Sequence, residues 1–189
     1  MIEATYVDHM GTDLSVVNAA RVSFGKKREA LGTVTANGET SIVLHDTDQK
    51  LIKYLAKHKH MSPFGHCFAS FHIKAPVFVA RQLVKHKFLR WNEISRRYVS
   101  DKPEFYSPKV WRGQAADKKQ GSAGEVSEID TVLYGMHMPQ DFADRHNKSC
   151  LHIYQSMIDS GVCEEQARMV LPQSTMTEWY WSGSLDAFA

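Results

Sequence analysis

The sequence predicts one domain that mixes helices with sheet strands, and three observations lead there. A chain of 189 residues, 43% hydrophobic and 23% charged, is long enough for one substantial core and short for two. Phe68 to Lys74 alternates apolar and polar residues, the period of a half-buried strand. Two longer stretches carry the helical period instead. One places Leu51, Ile52, Leu55 and Ala56 on one face. The other runs from about Asp141 to Ser160, with Phe142, His146, Cys150, Ile153, Tyr154 and Met157 in register.

Taken in order, residues 3–9 read as a short strand that Gly11 turns into a helix capped by Asp13 and running through Leu14, Val17 and Ala20. Residues 25–45, with Gly25, Gly32 and Gly38 among basic residues, read as a loop or small hairpin. Asp46 or Asp48 caps the next helix, which ends in the basic run 57–60. After the turn at Pro63 and Gly65 comes the strand 68–74, and Pro76 opens a helix through Val77, Ala80, Val84 and Lys85. This layout leaves His86 to Arg97 in a loop. Residues 101–111 read as an ordered, Pro-broken connection, and 113–124 as flexible. Helices are expected over 125–136, stopping before Pro139, over 141–160, and over 163–171 carrying Arg168. A strand is expected over 175–181. Ser184 then caps a last helix of about one turn, too short to sustain itself. That brevity leads to the expectation that the natural chain continues.

Composition narrows the functional classes. No run of eighteen apolar residues is present to span a membrane, and the first residues lack the basic-then-apolar order of a secretory signal. Cys67, Cys150 and Cys163 are an odd count without paired spacing, which reads as reduced thiols in the cytoplasm. A net charge of +2 is too small for a general nucleic-acid binder.

The positive charge matters where it is concentrated. Between Arg81 and Tyr98, seven of eighteen residues are Arg, Lys or His, and Glu93 is the one acid. Gln82, Asn92 and Ser95 add hydrogen-bonding groups; Phe88, Trp91 and Tyr98 add stacking surfaces. Such a mixture suits a ligand with both phosphates and a hydrogen-bonding ring. The same residues would serve a basic surface loop, or single-stranded nucleic acid held by Arg90, Trp91, Arg96, Arg97 and Tyr98. No GxGxxG or GxxxxGK[ST] motif is present, so a bound dinucleotide would be held by side chains such as Lys85, His86, Lys87 and Arg21. His58, His60, His66, His72 and His86 invite a metal reading, but no HExxH or CxxC accompanies them and no metal is expected. All three cysteines read as core residues rather than nucleophiles.

The stretch Lys85-His86-Lys87-Phe88-Leu89-Arg90-Trp91-Asn92-Glu93-Ile94-Ser95-Arg96-Arg97-Tyr98 resembles the signature RHRxxSxNExSxRY of the flavin-dependent thymidylate synthases. His86, Asn92, Glu93, Ser95, Arg97 and Tyr98 match. Lys85 and Lys87 replace the flanking arginines, and Arg90 replaces the first serine. Blocks at 7–24, 60–82, 104–108 and 167–181 resemble the family's blocks in the family's order. The resemblance implies an α+β fold, a mixed or antiparallel sheet packed with helices in a single domain, and a homotetramer with shared active sites. It implies conversion of dUMP to dTMP with methylenetetrahydrofolate as carbon donor and FAD, reduced by NADPH, as hydride source. By position, Gln82, Lys85, Glu93, Ser95, Arg96 and Arg97 would meet dUMP, joined by Arg168 from a neighbouring chain. Ser23, His60, Ser62, Lys85, His86, Lys87 and Phe88 would meet FAD, with Ser184 near it. Arg97 and Arg168 would stabilise charge on the uracil oxygens, Ser95 would stand beside them in the catalytic set, and His86 would favour a reduced flavin anion. Gly65 stands where the family often has Glu, and the family's helix opened by Ser184 continues into a dUMP-binding arginine segment beyond Ala189. A homologue that binds nucleotide or flavin without turnover is therefore the second expectation, and a single-stranded nucleic-acid binder the third.

Overall fold

A computed structural model describes residues 1–99, 101–116, 121–126, 131–133, 136–138 and 142–189 of the chain. Strand β1 (Glu3–Met10) leads through Gly11, at φ 86°, into α1 (Asp13–Arg21). The cap of α1 is Thr12, one residue before the expected Asp13. The Thr12 amide donates to Ser15 Oγ at 3.0 Å, and Asp13 sits in the first turn, where its charge suits the helix dipole. After a 3-10 turn, Val22–Phe24, the region read as loop or hairpin is a hairpin, β2 (Gly32–Ala36) with β3 (Glu39–Val43). Its turn is Asn37-Gly38 with φ of 53° and 83°, the double left-handed conformation that a two-residue type I′ turn requires.

Helix α2 (Asp46–Lys57) is capped by His45. Neither Asp46 nor Asp48 caps it, because both lie in the first turn and Asp48 is drawn inward to two arginines. The expected strand is β4 (Phe68–Pro76), so Pro76 closes a strand instead of opening the helix, and α3 (Val77–Leu83) ends before Lys85. The expected loop from His86 to Arg97 contains β5 (Arg90–Glu93). Beyond the ordered connection, where Tyr106 N donates to Ser174 O and Met176 N to Glu104 O, lie β6 (Trp111–Gln114) and β7 (Ser122–Val126). The stretch read as flexible thus contributes paired strands at both ends; residues 117–120 lie outside the described residues. Where a helix was expected over 125–136, the chain forms the end of β7, then β8 (Thr131–Leu133) paired with β9 (Met136–Met138). Branched Thr131 and Val132 fit a pleat better than a helix. The remaining positions of that expectation, 127–130 and 134–135, and its stop at Pro139 lie outside the described residues.

Helix α4 (Phe142–Asp159) follows, its expected start at Asp141 likewise outside. Its buried stripe is Asn147, Cys150 and Tyr154, while His146 and Ile153 of the expected stripe stay exposed. Asn147 turns inward because its Oδ1 accepts the Ser174 hydroxyl at 2.7 Å. Helix α5 (Glu164–Ala167) passes into a 3-10 turn, Arg168–Val170. Then β10 (Met176–Ser184) leads to α6 (Leu185–Phe188).

The principal sheet has the order β1-β4-β10-β5. The antiparallel β10–β5 register sets Trp179 opposite Glu93, Tyr180 opposite Asn92, Trp181 opposite Trp91 and Ser182 opposite Arg90. Two compact units emerge. One comprises Glu3–Ile73, Leu83–Glu93 and Glu178–Ala189, the other Met1–Ile2, Lys74–Gln82 and Ile94–Thr177. In the first, Val16, Leu55 and Cys67 form a buried cluster against Ala20, Leu51, Ile52 and Phe64. In the second, Ala80, Tyr154 and Ala167 are buried.

Gly11 is a point where this packing leaves no latitude. A Cβ there would lie 2.8 Å from Cys67 Sγ and 3.2 Å from the His66 carbonyl oxygen, on a backbone already at positive φ. Gly11→Ala is expected to lower stability by about 2 kcal/mol, from left-handed strain and overpacking together. Urea denaturation checks it; an unchanged midpoint would contradict the close approach.

Candidate active site

The first unit contains a cavity of ≈ 1070 Å³ between α1, α2 and the turn that follows α2. Ser23, His60 and Ser62, three of the residues expected at FAD, line it. Its walls are set by a buried ion cluster. Asp48, 0% exposed, takes Arg21 Nη2 on Oδ1 at 2.5 Å and Arg28 Nε on Oδ2 at 3.2 Å. Arg28 is also clamped to α1. Its amide donates to Asn18 Oδ1 at 2.7 Å and its carbonyl accepts Asn18 Nδ2 at 3.0 Å. One carboxylate therefore ties α1, the segment after it and α2 into a fixed spacing. Arg21 was expected to do phosphate work; it lines the cavity, but its charge is committed to Asp48.

Lys85, His86, Lys87 and Phe88 follow α3 on an exposed turn of the same unit. They are absent from the cavity lining, so seven of the eight expected FAD residues divide between the cavity and this turn, and Ser184 stands apart from both at the cap of α6. The turn is held at His86, whose N–H donates to Leu83 O at 3.1 Å, and at Leu89, which is buried. The His86 ring meets Trp181 edge-on at 6.0 Å, Trp181 meets Phe188 at 5.3 Å, and Phe188 meets Phe71 at 5.7 Å. This ring series fixes the imidazole against β10 and α6. Trp91 stacks on Trp179 at 4.3 Å and donates its indole N–H to Glu93 Oε2 at 3.2 Å, which orients that carboxylate. Ser184 caps α6 as expected. At Gly65, the position of an added Cβ lies 3.5 Å from both Asp186 carboxylate oxygens.

The second unit carries Gln82, Ser95, Arg96, Arg97 and Arg168. Gln82 is exposed on α3. Arg97 is exposed, its Nε 3.5 Å from Ser95 Oγ and its guanidinium 5.1 Å from the centre of the Tyr98 ring. Arg96 donates to the Asp101 carbonyl. Arg168 is exposed, and its Nε donates to the carbonyl of Glu165, one turn earlier in the chain, at 3.2 Å.

The cavity also exposes residues the sequence reading did not single out. Thr47, Lys50 and Tyr54 line it beside Leu51. Their spacing was a usable signal: i, i+3 and i+7 on one amphipathic helix share a face. Among the described residues no group of three or more His, Cys, Asp or Glu could hold a metal.

The thiols divide. Cys67 and Cys150 are buried as expected, whereas Cys163 is exposed at the cap of α5, because a cap lies outside the helix's packed face. Burial pushes the Cys67 thiol above its ordinary pKa, and the Asp13 carboxylate adds to this. The neutral thiol is thus favoured in the fold. Its contribution is complete below the ordinary thiol pKa and is lost as pH rises through the raised one. Iodoacetamide at pH 8 is expected to label Cys163 first and Cys67 at least tenfold more slowly; peptide mapping of a timed reaction checks this, and equal rates would contradict it.

These features define an α+β domain with an aromatic- and hydroxyl-lined cavity and a cation-rich turn beside an antiparallel sheet. A family model described as "thymidylate synthase complementing protein" matches residues 5–189. The flavin-dependent thymidylate synthase of Thermus thermophilus is 39% identical over 179 residues, covering 95% of this chain and 58% of the relative. That of Treponema denticola is 39% identical over 184 residues, covering 93% and 60%. The chain therefore spans about three-fifths of the length of these relatives. Among solved structures, the UMP/dUMP methylase PolB from Streptomyces cacaoi bound with 5-Br dUMP is 29% identical with a TM-score of 0.74, covering 99% of this chain and 75% of that one. The chain belongs to the thymidylate synthase complementing protein family, the flavin-dependent thymidylate synthases. No helix among the described residues is long and apolar enough to cross a membrane.

Proposed function

We propose that this chain is a methyltransferase of its family, acting as one functional domain in the cytoplasm. It would convert dUMP to dTMP with methylenetetrahydrofolate as carbon donor. The observation that carries the reading is the signature stretch itself. Lys85 to Tyr98 falls inside the family match and folds as an exposed turn, a strand and a second turn, with Lys85, His86, Lys87, Arg90 and Arg97 exposed. The cavity lined by Ser23, His60 and Ser62 fits a dinucleotide in size and in donor chemistry. When bound, FAD reduced by NADPH supplies the hydride.

The chain's own residues would do the rest. Uracil C5 is a weak carbon nucleophile, and negative charge grows on the ring oxygens as it attacks. Arg97 and Arg168 would stabilise that charge as fixed donors. Ser95, within reach of the Arg97 guanidinium, would keep it aimed, while Gln82, Lys85, Glu93 and Arg96 hold dUMP. His86, when protonated, would favour negative charge on the flavin ring, with Lys85, Lys87 and Phe88 beside it and Ser184 close by. Lys85 and Lys87 act as point charges rather than two-pronged clamps, so they hold phosphate with less directional grip than arginine. No cysteine is asked to attack the base, in keeping with the buried Cys67 thiol and its raised pKa.

Large apolar side chains stand exposed beside the assigned residues: Phe88 at 83%, Tyr98 at 77% and Met169 at 81%. Exposed apolar groups adjoining functional cations favour a site completed by other copies, and the assembly proposed is a homotetramer. Light scattering is expected to return four chains per particle; a monomer at micromolar concentration would contradict it. The activity is tested by the visible spectrum of the purified protein and by release of tritium from 5-tritiated dUMP with folate and NADPH. Flavin absorbance with release supports the reading. No flavin absorbance, and no thermal shift on adding FAD, would overturn it. FAD binding without release would reduce it to a binding homologue.

A further inference from the structure

We infer that a second cavity, built within the unit that carries α4, is a subsite for a small planar aromatic carboxylate, with the ring among aromatic walls and the carboxylate on Arg112. It uses none of the residues assigned to dUMP or FAD and does not depend on the flavin reading.

The cavity measures ≈ 400 Å³ and is lined from α3, the connection before β6, β6 itself, the start of α4 and Ser174. Small-molecule pockets run from about 300 to 1,000 Å³, so this one suits a ligand of one or two rings. Two aromatic pairs shape its walls. Phe78 meets Tyr106 at 6.0 Å and 56°, and Trp111 stacks on Phe142 at 5.5 Å and 19°. The Phe142 ring fixes the plane of the Trp111 indole, and a ring already held accepts another at little cost in side-chain entropy. Phe78 and Val110 are 43% and 47% exposed, so these walls are open to a ligand rather than closed core.

The frame is held by the protein alone. Tyr106 N donates to Ser174 O at 2.8 Å, Phe78 N donates to Gln173 O at 3.1 Å, and Phe105 bridges to Thr175. Ser174 donates its hydroxyl to Asn147 Oδ1 at 2.7 Å, which ties the same segment to α4. A cavity formed in advance spares its ligand the cost of ordering the walls.

Two polar groups give this apolar space its chemistry. Among the described residues that line it, Arg112 is the one charged group. Arg112 is exposed and makes no ion pair among the described residues, although Glu125 stands opposite it in the β6–β7 register. A guanidinium presents paired donors that match a carboxylate. Ser174, having given its hydrogen to Asn147, is left as an acceptor. Together they select a ring that carries an acid and also an O–H or N–H.

Isothermal titration of the full chain with 6-hydroxy-2-naphthoate tests this. One equivalent per chain is expected to bind. The neutral 6-hydroxy-2-naphthamide is expected to be at least tenfold weaker, and 2-naphthoate, without the hydroxyl, at least threefold weaker. Arg112→Ala is expected to bring the acid down to the affinity of the amide and to leave the amide unchanged. Val110→Trp, which fills the cavity, is expected to abolish both. Melting temperatures without ligand should match wild type, since both side chains are exposed. Saturating dUMP and FAD should leave the affinity for the acid unchanged. No saturable binding would overturn the inference, as would equal affinities for the acid and either analogue. Acid affinity within twofold of wild type in Arg112→Ala, or binding retained in Val110→Trp, would do the same. Displacement by dUMP or FAD would also overturn it, by placing the acid in the family's own site, and would leave the flavin reading standing.

Discussion

Asp48→Ala is expected to lower the stability of the protein by about 3 kcal/mol, more than any other substitution considered. The carboxylate is fully buried and both oxygens face arginines. Removing it leaves two guanidinium groups without their buried counter-charge. Breaking a buried ion pair from one side costs about 3–5 kcal/mol, because the partner stays desolvated and unpaired. The low end applies here. The Arg21 and Arg28 side chains are 22% and 35% exposed, so each can swing part of its charge into water. Arg21 Nε is buried without a hydrogen-bond partner even with Asp48 present, which adds to the cost of losing the acid. Asp48→Asn should fall between wild type and alanine, keeping shape and one acceptor while losing the charge. Chemical denaturation with parallel circular dichroism gives the values. A loss below 1 kcal/mol for alanine would mean that the cluster is a surface arrangement and not what spaces α1 from α2.

The second large effect is expected at a position that should scarcely touch stability. Arg168→Ala should weaken dUMP binding about 100-fold, equivalent to about 2.7 kcal/mol. It should move the unfolding midpoint by less than about 0.5 kcal/mol, the usual range for an exposed side chain. The contrast follows from its surroundings: an exposed side chain whose Nε donates to the carbonyl of Glu165 one turn back. Its value would lie in a charge-assisted bond to ligand, where truncation leaves the facing anion unpaired. Isothermal titration with dUMP and urea denaturation of the same preparation decide the matter. Parallel losses of affinity and stability would make Arg168 a structural residue and remove it from the site.

The contrast between these two positions also marks what the sequence made legible. Arg168 could be proposed for the site from its block alone, because that proposal needs only its own type and its neighbours in sequence. Asp48 could not. Its sequence context is that of a helix cap, and its role depends on Arg21 and Arg28, 27 and 20 residues away, meeting it inside the fold. The strand 68–74 and the long helix ending near Ser160 were readable because their periods are sustained over many residues. β5 was missed because Arg90 to Glu93 is short and polar, and only its pairing with β10 makes it a strand. The region from 125 to 136 failed for a related reason: short strands settled by pairing carry too few residues to show a period of two. At the site, residue types were legible but their grouping was not. The signature gave no sign that Ser23, His60 and Ser62 would line a cavity from which the His86 turn is absent.

The register between β5 and β10 has a consequence for how the protein comes into being. Among the described residues, the strand partner of Arg90 to Glu93 is Trp179 to Ser182, which leaves the ribosome roughly ninety residues later, about 5–20 s at ordinary rates of synthesis. Throughout that interval the most cationic segment of the nascent polypeptide has no sheet edge to join. Closure of so long a loop makes this pairing a late event. The chain would therefore acquire β5 among the last of its elements, after α1 and α2 have had time to dock through Asp48.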